Sequence, residues 1–202
     1  MQGKYGDKTM RKGLQIGIAA IALSAFLVVP AFAQRGTSIT GTAVIYGSGF
    51  NTRTITRPFT MTINGETSGA DAARYLNTLQ RGGQDALMRE IGSNNLGRFS
   101  LGGRVGEPLN AVVIDQDNGD TRIRAVFRRW VGFGEILRGL RSVDYPFGYV
   151  EIRVDPRTGR GEGTIIPAAR IRFRGADTVE IEDFGTFPGR LMGVQVRGMR
   201  PI

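Results

Sequence analysis

The 202-residue chain carries 27 Lys and Arg against 18 Asp and Glu, a formal net charge of +9, and contains neither Cys nor His. Those two absences remove disulfides, zinc sites of the usual kind, c-type haem attachment, thiol chemistry and Ser-His-Asp catalysis. Only carboxylates, Tyr, Ser and Thr remain as catalytic candidates, and stability has to come from a packed core.

Residues 1–33 read as an export leader. Lys4, Lys8, Arg11 and Lys12 make a basic start, Ile16 to Val29 is apolar, and Ala31-Phe32-Ala33 has the small-x-small pattern of a cleavage site, placing the cut before Gln34. The competing reading is a retained anchor, since Leu14 to Phe32 approaches the roughly 20 residues that span a bilayer. Pro30 and the short apolar core favour cleavage, and the absence of Cys excludes a lipid-modified N-terminus. The leader holds four of the 27 basic residues and one of the 18 acidic ones, leaving 23 against 17. All three lysines go with it, which removes Schiff-base and Ser-Lys catalysis. Residues 34–202 have the length of one ordinary domain.

Ile39, Gly41, Ala43 and Ile45 alternate with Thr40, Thr42, Val44 and Tyr46, a strand ended by Gly47-Ser48-Gly49. Pro58 to Asn64 is a second strand, with Phe59, Met61 and Ile63 on one face. Ser68 and Asp71 form a helix start, followed by Ala72, Tyr75, Leu76 and Leu79 at helical spacing. Gly82-Gly83 breaks the helix, and Gln84 to Ile91 resumes it with Leu87, Met88 and Ile91 on one side, so two short helices are predicted. Leu96 to Glu107 is glycine-rich without the context of a phosphate-binding loop and reads as an irregular connector.

Three hairpins follow, each with a register set by its turn. Asn118-Gly119 pairs Ile114 with Ile123, Asp115 with Arg122 and Val112 with Ala125. The acids Asp115, Asp117 and Asp120 around that tip lack the distal Glu and flanking helices of a calcium loop and are read as turn chemistry. Val131 to Val143 is a short helix or loop. Pro156-Arg157-Thr158-Gly159 pairs Arg153 with Glu162 and Val150 with Ile165, and sets Gly161 and Gly163 inward opposite Val154 and Ile152. Gly175-Ala176-Asp177 faces Arg172 to Glu180, Arg170 to Glu182, Phe173 to Val179 and Ile171 to Ile181, so an acidic ladder neutralises the arginine one. Leu191 to Arg197, with Met192, Val194 and Val196 on one face, is the last strand.

These elements predict a mainly β protein (α+β by content), an antiparallel barrel-like or sandwiched sheet of about eight strands with a short two-helix insertion after strand 2. The inward glycines leave room for an apolar ligand, unless Phe and Leu side chains from the helices fill it. Between Arg122 and Arg141 six arginines accompany the single Glu135, and we take Arg124, Arg128, Arg129, Trp130, Arg138 and Arg141 as the candidate binding residues. Arg binds carboxylate and phosphate bidentately and stacks on aromatic rings, so the expected partners are anionic lipid, envelope polysaccharide or an acidic protein in the periplasm or outside the cell. The export leader argues against nucleic acid, and no cofactor or metal is expected. A carrier of a small apolar ligand is the alternative, and a carboxylate-based hydrolase the second, although no pair of carboxylates is brought together by any register and one Trp is poor provision for stacking sugars.

Overall fold

The computed structural model describes residues 36–46, 54–129, 141–174, 178–185 and 187–199. The leader, Trp130 to Leu140 and the tip at residues 175–177 lie outside them. The described chain folds as β1 (Thr37–Ile45), β2 (Ile55–Ile63), α1 (Gly69–Ile91), β3 (Gly97–Leu101), β4 (Glu107–Asp117), β5 (Asp120–Arg128), a 3-10 turn (Arg141–Asp144), β6 (Phe147–Val154), β7 (Arg160–Arg174), β8 (Thr178–Asp183) and β9 (Gly189–Arg197). Every pairing is antiparallel, and the order β6-β5-β4-β3-β2-β1-β9-β7 closes on itself through β6–β7 into an eight-stranded barrel. The ninth strand, β8, hangs from the far half of β7.

All three hairpin registers occur as expected. Ile114 faces Ile123 and Asp115 faces Arg122 in β4–β5, Arg153 faces Glu162 and Val150 faces Ile165 in β6–β7, and Arg172 faces Glu180 in β7–β8. Asn118 (φ 54°) and Gly119 (φ 88°) supply the left-handed pair that a two-residue hairpin requires. The charges pair more diagonally than straight across. Arg172 reaches both Glu180 (3.1 Å) and Glu182 (3.2 Å), whereas Arg170 turns to Asp144 (3.4 Å) and lies over the Tyr145 ring.

Alternation decides what fills the barrel. Ile39, Ala43, Phe59, Met61, Phe99, Ile123, Ala125, Val150, Ile152, Val154 and Ile165 all point inward and are buried. The interior is therefore packed by strand side chains, and the helices take no part in it. Gly161 and Gly163 do not leave ligand space either. A Cβ there would lie 2.0 Å from the Arg153 carbonyl oxygen or 2.2 Å from that of Glu151, so glycine lets β7 approach β6 closely while it also pairs with β9.

Among the described residues three bulges bend the strands. Asn110 is the extra residue between the Leu109–Phe127 and Ala111–Val126 pairs, and its buried side chain accepts from Arg128 N (2.7 Å) and donates to Asn94 O (2.9 Å). Pro167 and Ala168 oppose Gly148 alone, and Pro, lacking an N–H, suits such a position. From that bulge β7 leaves the barrel to meet β8. On β9, Gly193 (φ 59°) and Val194 together face Gly41. This last bulge takes Met192 off the expected face: it is 48 % exposed and Leu191 is buried in its place, whereas Val194 is buried and Val196 packs on the core as expected.

The glycine-rich connector also needs correction, because Gly97–Leu101 is a strand, β3, paired with β2 along its whole length. Gly97 has φ 150° and a Cβ there would lie 2.0 Å from Thr62 O, so the glycine admits the neighbouring backbone.

Helix α1 is two arms doubled back at Gly83 (φ 69°, ψ −169°). Along a straight helix, residues 16 apart would be separated by about 24 Å. Here Arg74 meets Glu90 at 2.6 Å, Thr78 also donates to Glu90, and Asn94 donates to the Tyr75 hydroxyl at 2.9 Å. Ser68 caps the first arm by accepting from Asp71 N. The pair lies outside the barrel wall, where Leu79, Leu87 and Ile91 join Phe147, Tyr149, Ile166, Ala169 and Ile171 in a second core. Among the described residues no helix is long and apolar enough to cross a membrane.

Candidate functional site

Following each inward row to its last member leads to one open end of the barrel. Ile45 ends the row of β1, Ile55 and Arg57 extend that of β2 beyond Phe59, Leu101 ends β3, Glu107 begins β4, and Phe127 ends β5. With Phe99, Ile165, Pro167 and the lip Gly102–Gly106 they line a cavity of about 390 Å³. Its floor is aromatic. Phe99 stacks on Phe59 (5.8 Å between centroids) and on Phe127 (5.4 Å), and Gly148 is bare because a Cβ would collide with the Phe127 ring at 2.1 Å.

The lip is built from the glycine-rich stretch. Gly102 (φ 63°) and Gly103 (φ 72°) turn the chain in a conformation that suits glycine. Gly102 N donates to Pro58 O (2.8 Å), Arg98 donates to Gly106 O, and Ser100 donates to Arg104 O. Held in this way, Val105 stands 91 % exposed at the tip. The Arg57 side-chain carbons run beneath Gly102, close enough that a Cβ there would sit 3.3 Å from Cδ.

Arg57 and Arg104 line this cavity, and among the described residues neither forms an ion pair and Glu107 is the one carboxylate in the lining. An apolar floor with two guanidinium groups at its rim, Arg57 donating one hydrogen bond to Thr56 O (3.3 Å) and neither group ion-paired among the described residues, can hold an amphiphile by its apolar body and its anionic head together. Among the described residues no three carboxylates gather as a metal site would require.

The arginines picked from the sequence are distributed differently. Arg124 lies on the outer wall with Arg122, where Asp115 accepts from Arg122 Nε (2.9 Å) and Arg124 Nη2 (2.5 Å), and Asp117 pairs with Arg122 (3.2 Å) and Arg153 (3.3 Å). Arg122's hydrogen bond, aided by the charge of Arg124, holds the Asp115 carboxyl below its ordinary range. Burial, with the hydrogen bond to Glu151 (2.8 Å), pushes the Tyr149 hydroxyl well above its usual value, so it is no base at neutral pH. Arg128 is exposed at the end of β5, and Arg129 donates to Tyr145 O (2.8 Å). Trp130 and Arg138 lie outside the described residues, as does the side chain of Arg141.

Sequence reasoning passed over Arg57, Arg104 and Val105. The signal for Arg57 was present, since one further step of the Phe59–Met61–Ile63 alternation places a charged residue on the inward face, which only a barrel end tolerates. No family model, no curated protein and no solved structure matches the chain.

Proposed function

We propose that this is a non-enzymatic, exported binding protein that takes a small amphiphilic anion at the open end of its barrel. The apolar body of the ligand lies on Phe99, Phe127, Leu101 and Ile55, and its carboxylate or phosphate meets Arg57 and Arg104. This reading joins the anionic-partner and carrier expectations, which the sequence assigned to separate places. The observation that carries it is the pair of arginines without acid partners among the described residues at the rim of an apolar cavity of about 390 Å³, within the size range of small-molecule sites. The leader expected at residues 1–33 would deliver the domain to the periplasm or the exterior, where anionic amphiphiles of the envelope are at hand.

Calorimetric titration with dodecanoate and dodecyl phosphate tests it. One ligand should bind per chain, more weakly as salt rises because rim charges are screened. Arg57→Gln and Arg104→Gln should each lower affinity about tenfold, equivalent to about 1.4 kcal/mol, without altering thermal stability. Equal affinity in the double variant would refute the assignment.

A further inference from the structure

A second opening lies on the opposite side of the barrel wall and has a different chemistry. Between the helical pair and the outward faces of β4 to β8 runs a cleft of about 480 Å³. Its wall is amphipathic along the strands. Ala111, Val126 and Tyr149 make the apolar end, Val113 shares the next row with Arg124 and Glu151, and Arg122 lies beyond them at the polar end. Leu76 on the helix (47 % exposed) and Val179 on β8 (37 % exposed) line it without burying one another, so the second core is closed beneath and open above.

We infer that this cleft is a second ligand site, for a neutral single-chain amphiphile whose head carries hydroxyl or ester groups. The polar end is already balanced in charge. Arg122, Arg124 and Arg153 interlock with Asp115, Asp117 and Glu151, the last within 3.8 Å of Arg153. An anionic head would meet Asp115 and Glu151 beside any guanidinium it reached, and a cationic head would meet Arg122, Arg124 or Arg153 beside any carboxylate. A neutral head meets no such repulsion. It can accept from Arg124 Nη1, since Nη2 alone is engaged with Asp115. It can also donate to Glu151, whose Oε2 takes one bond from Tyr149.

The inference does not depend on the barrel-end site, and one experiment keeps them apart. Monolaurin, the neutral glycerol ester of dodecanoate, is titrated into the full chain at low and high salt. One equivalent should bind with an affinity that salt does not change, and the methyl resonances of Ile171, Val179 and Ile181 should shift. Ala72→Trp, which fills the cleft from the helix side, should lower monolaurin affinity at least about tenfold and leave dodecanoate unaffected. Arg57→Gln/Arg104→Gln should do the reverse. If monolaurin does not bind, if it moves only Leu101 and Val105 methyls, or if dodecanoate competes for the cleft with equal affinity, the inference falls. Should Ala72→Trp fail to fold, the methyl shifts of the unmodified chain decide alone.

Discussion

Asp183 shows how one side chain sets a pH dependence. Its Oδ1 accepts from Gly185 N (2.7 Å), but Oδ2 is buried with no partner among the described residues, and burial raises its pKa above the ordinary carboxylate value. A carboxyl whose folded pKa is raised opposes folding once ionised. The penalty is absent below the ordinary value near 3.8, grows as pH rises through the folded value, and is constant above it. Asp183→Asn keeps an acceptor for Gly185 and removes the charge. It should raise the melting temperature at neutral pH, with the gain vanishing below about pH 3.8. A gain of the same size at every pH would show that charge is not the cause. Asp115 has the opposite sign, since Arg122 lowers its pKa, and it contributes stability that is lost as pH falls below the ordinary range.

At the scale of elements, period-2 alternation and turn chemistry were enough to read the hairpins, because each register is fixed by contacts only a few residues away. Asn118-Gly119 and Pro156 to Gly159 act within their own loops, and opposite charges discriminate the neighbouring registers. On β9 the side of Met192 was misread for a complementary reason. Alternation assumes one residue per step, and a bulge breaks that assumption without any apolar signal. The clue was Gly193 itself, whose φ of 59° places it in the left-handed region. No atom lies within 4 Å of where its Cβ would stand, so strain alone opposes substitution. Gly193→Ala should therefore cost about 1 kcal/mol in urea unfolding, and Gly193→Asn less, because Asn visits that region more readily. An Ala variant as stable as the parent would show that the bulge relaxes. β3 escaped notice because three of its neighbours in sequence are glycines, which weaken any propensity-based reading of a strand.

For the whole molecule, what was illegible is what depends on closure. The eight expected strands could have formed a sandwich, and nothing local says that β7 pairs on both edges or that β9 returns to β1. The site was hidden by another long-range pairing: Arg57 and Arg104 lie 47 residues apart and share a rim because β3 pairs with β2 across the helical pair that separates them in sequence. Of the arginines from Arg122 onward, conspicuous as a run, Arg122 and Arg124 are occupied by Asp115 and Asp117 on the neighbouring strand, while Arg129 donates to Tyr145 O and Arg128 is exposed. Closure itself rests on close backbone approach at Gly161 and Gly163. At Gly163 a Cβ would lie 2.2 Å from Glu151 O and 3.0 Å from Ile152 Cα, atoms that cannot rotate away. Gly163→Ala must therefore push β6 from β7 across the seam, as overpacking does in a tight core, at a cost of about 1–3 kcal/mol. Because β7 binds β6 and β9 at once, amide exchange should accelerate on all three strands while β4–β5 stays protected. A stable variant with unchanged exchange would mean that the barrel tolerates a wider seam, and that the paired glycines have another purpose.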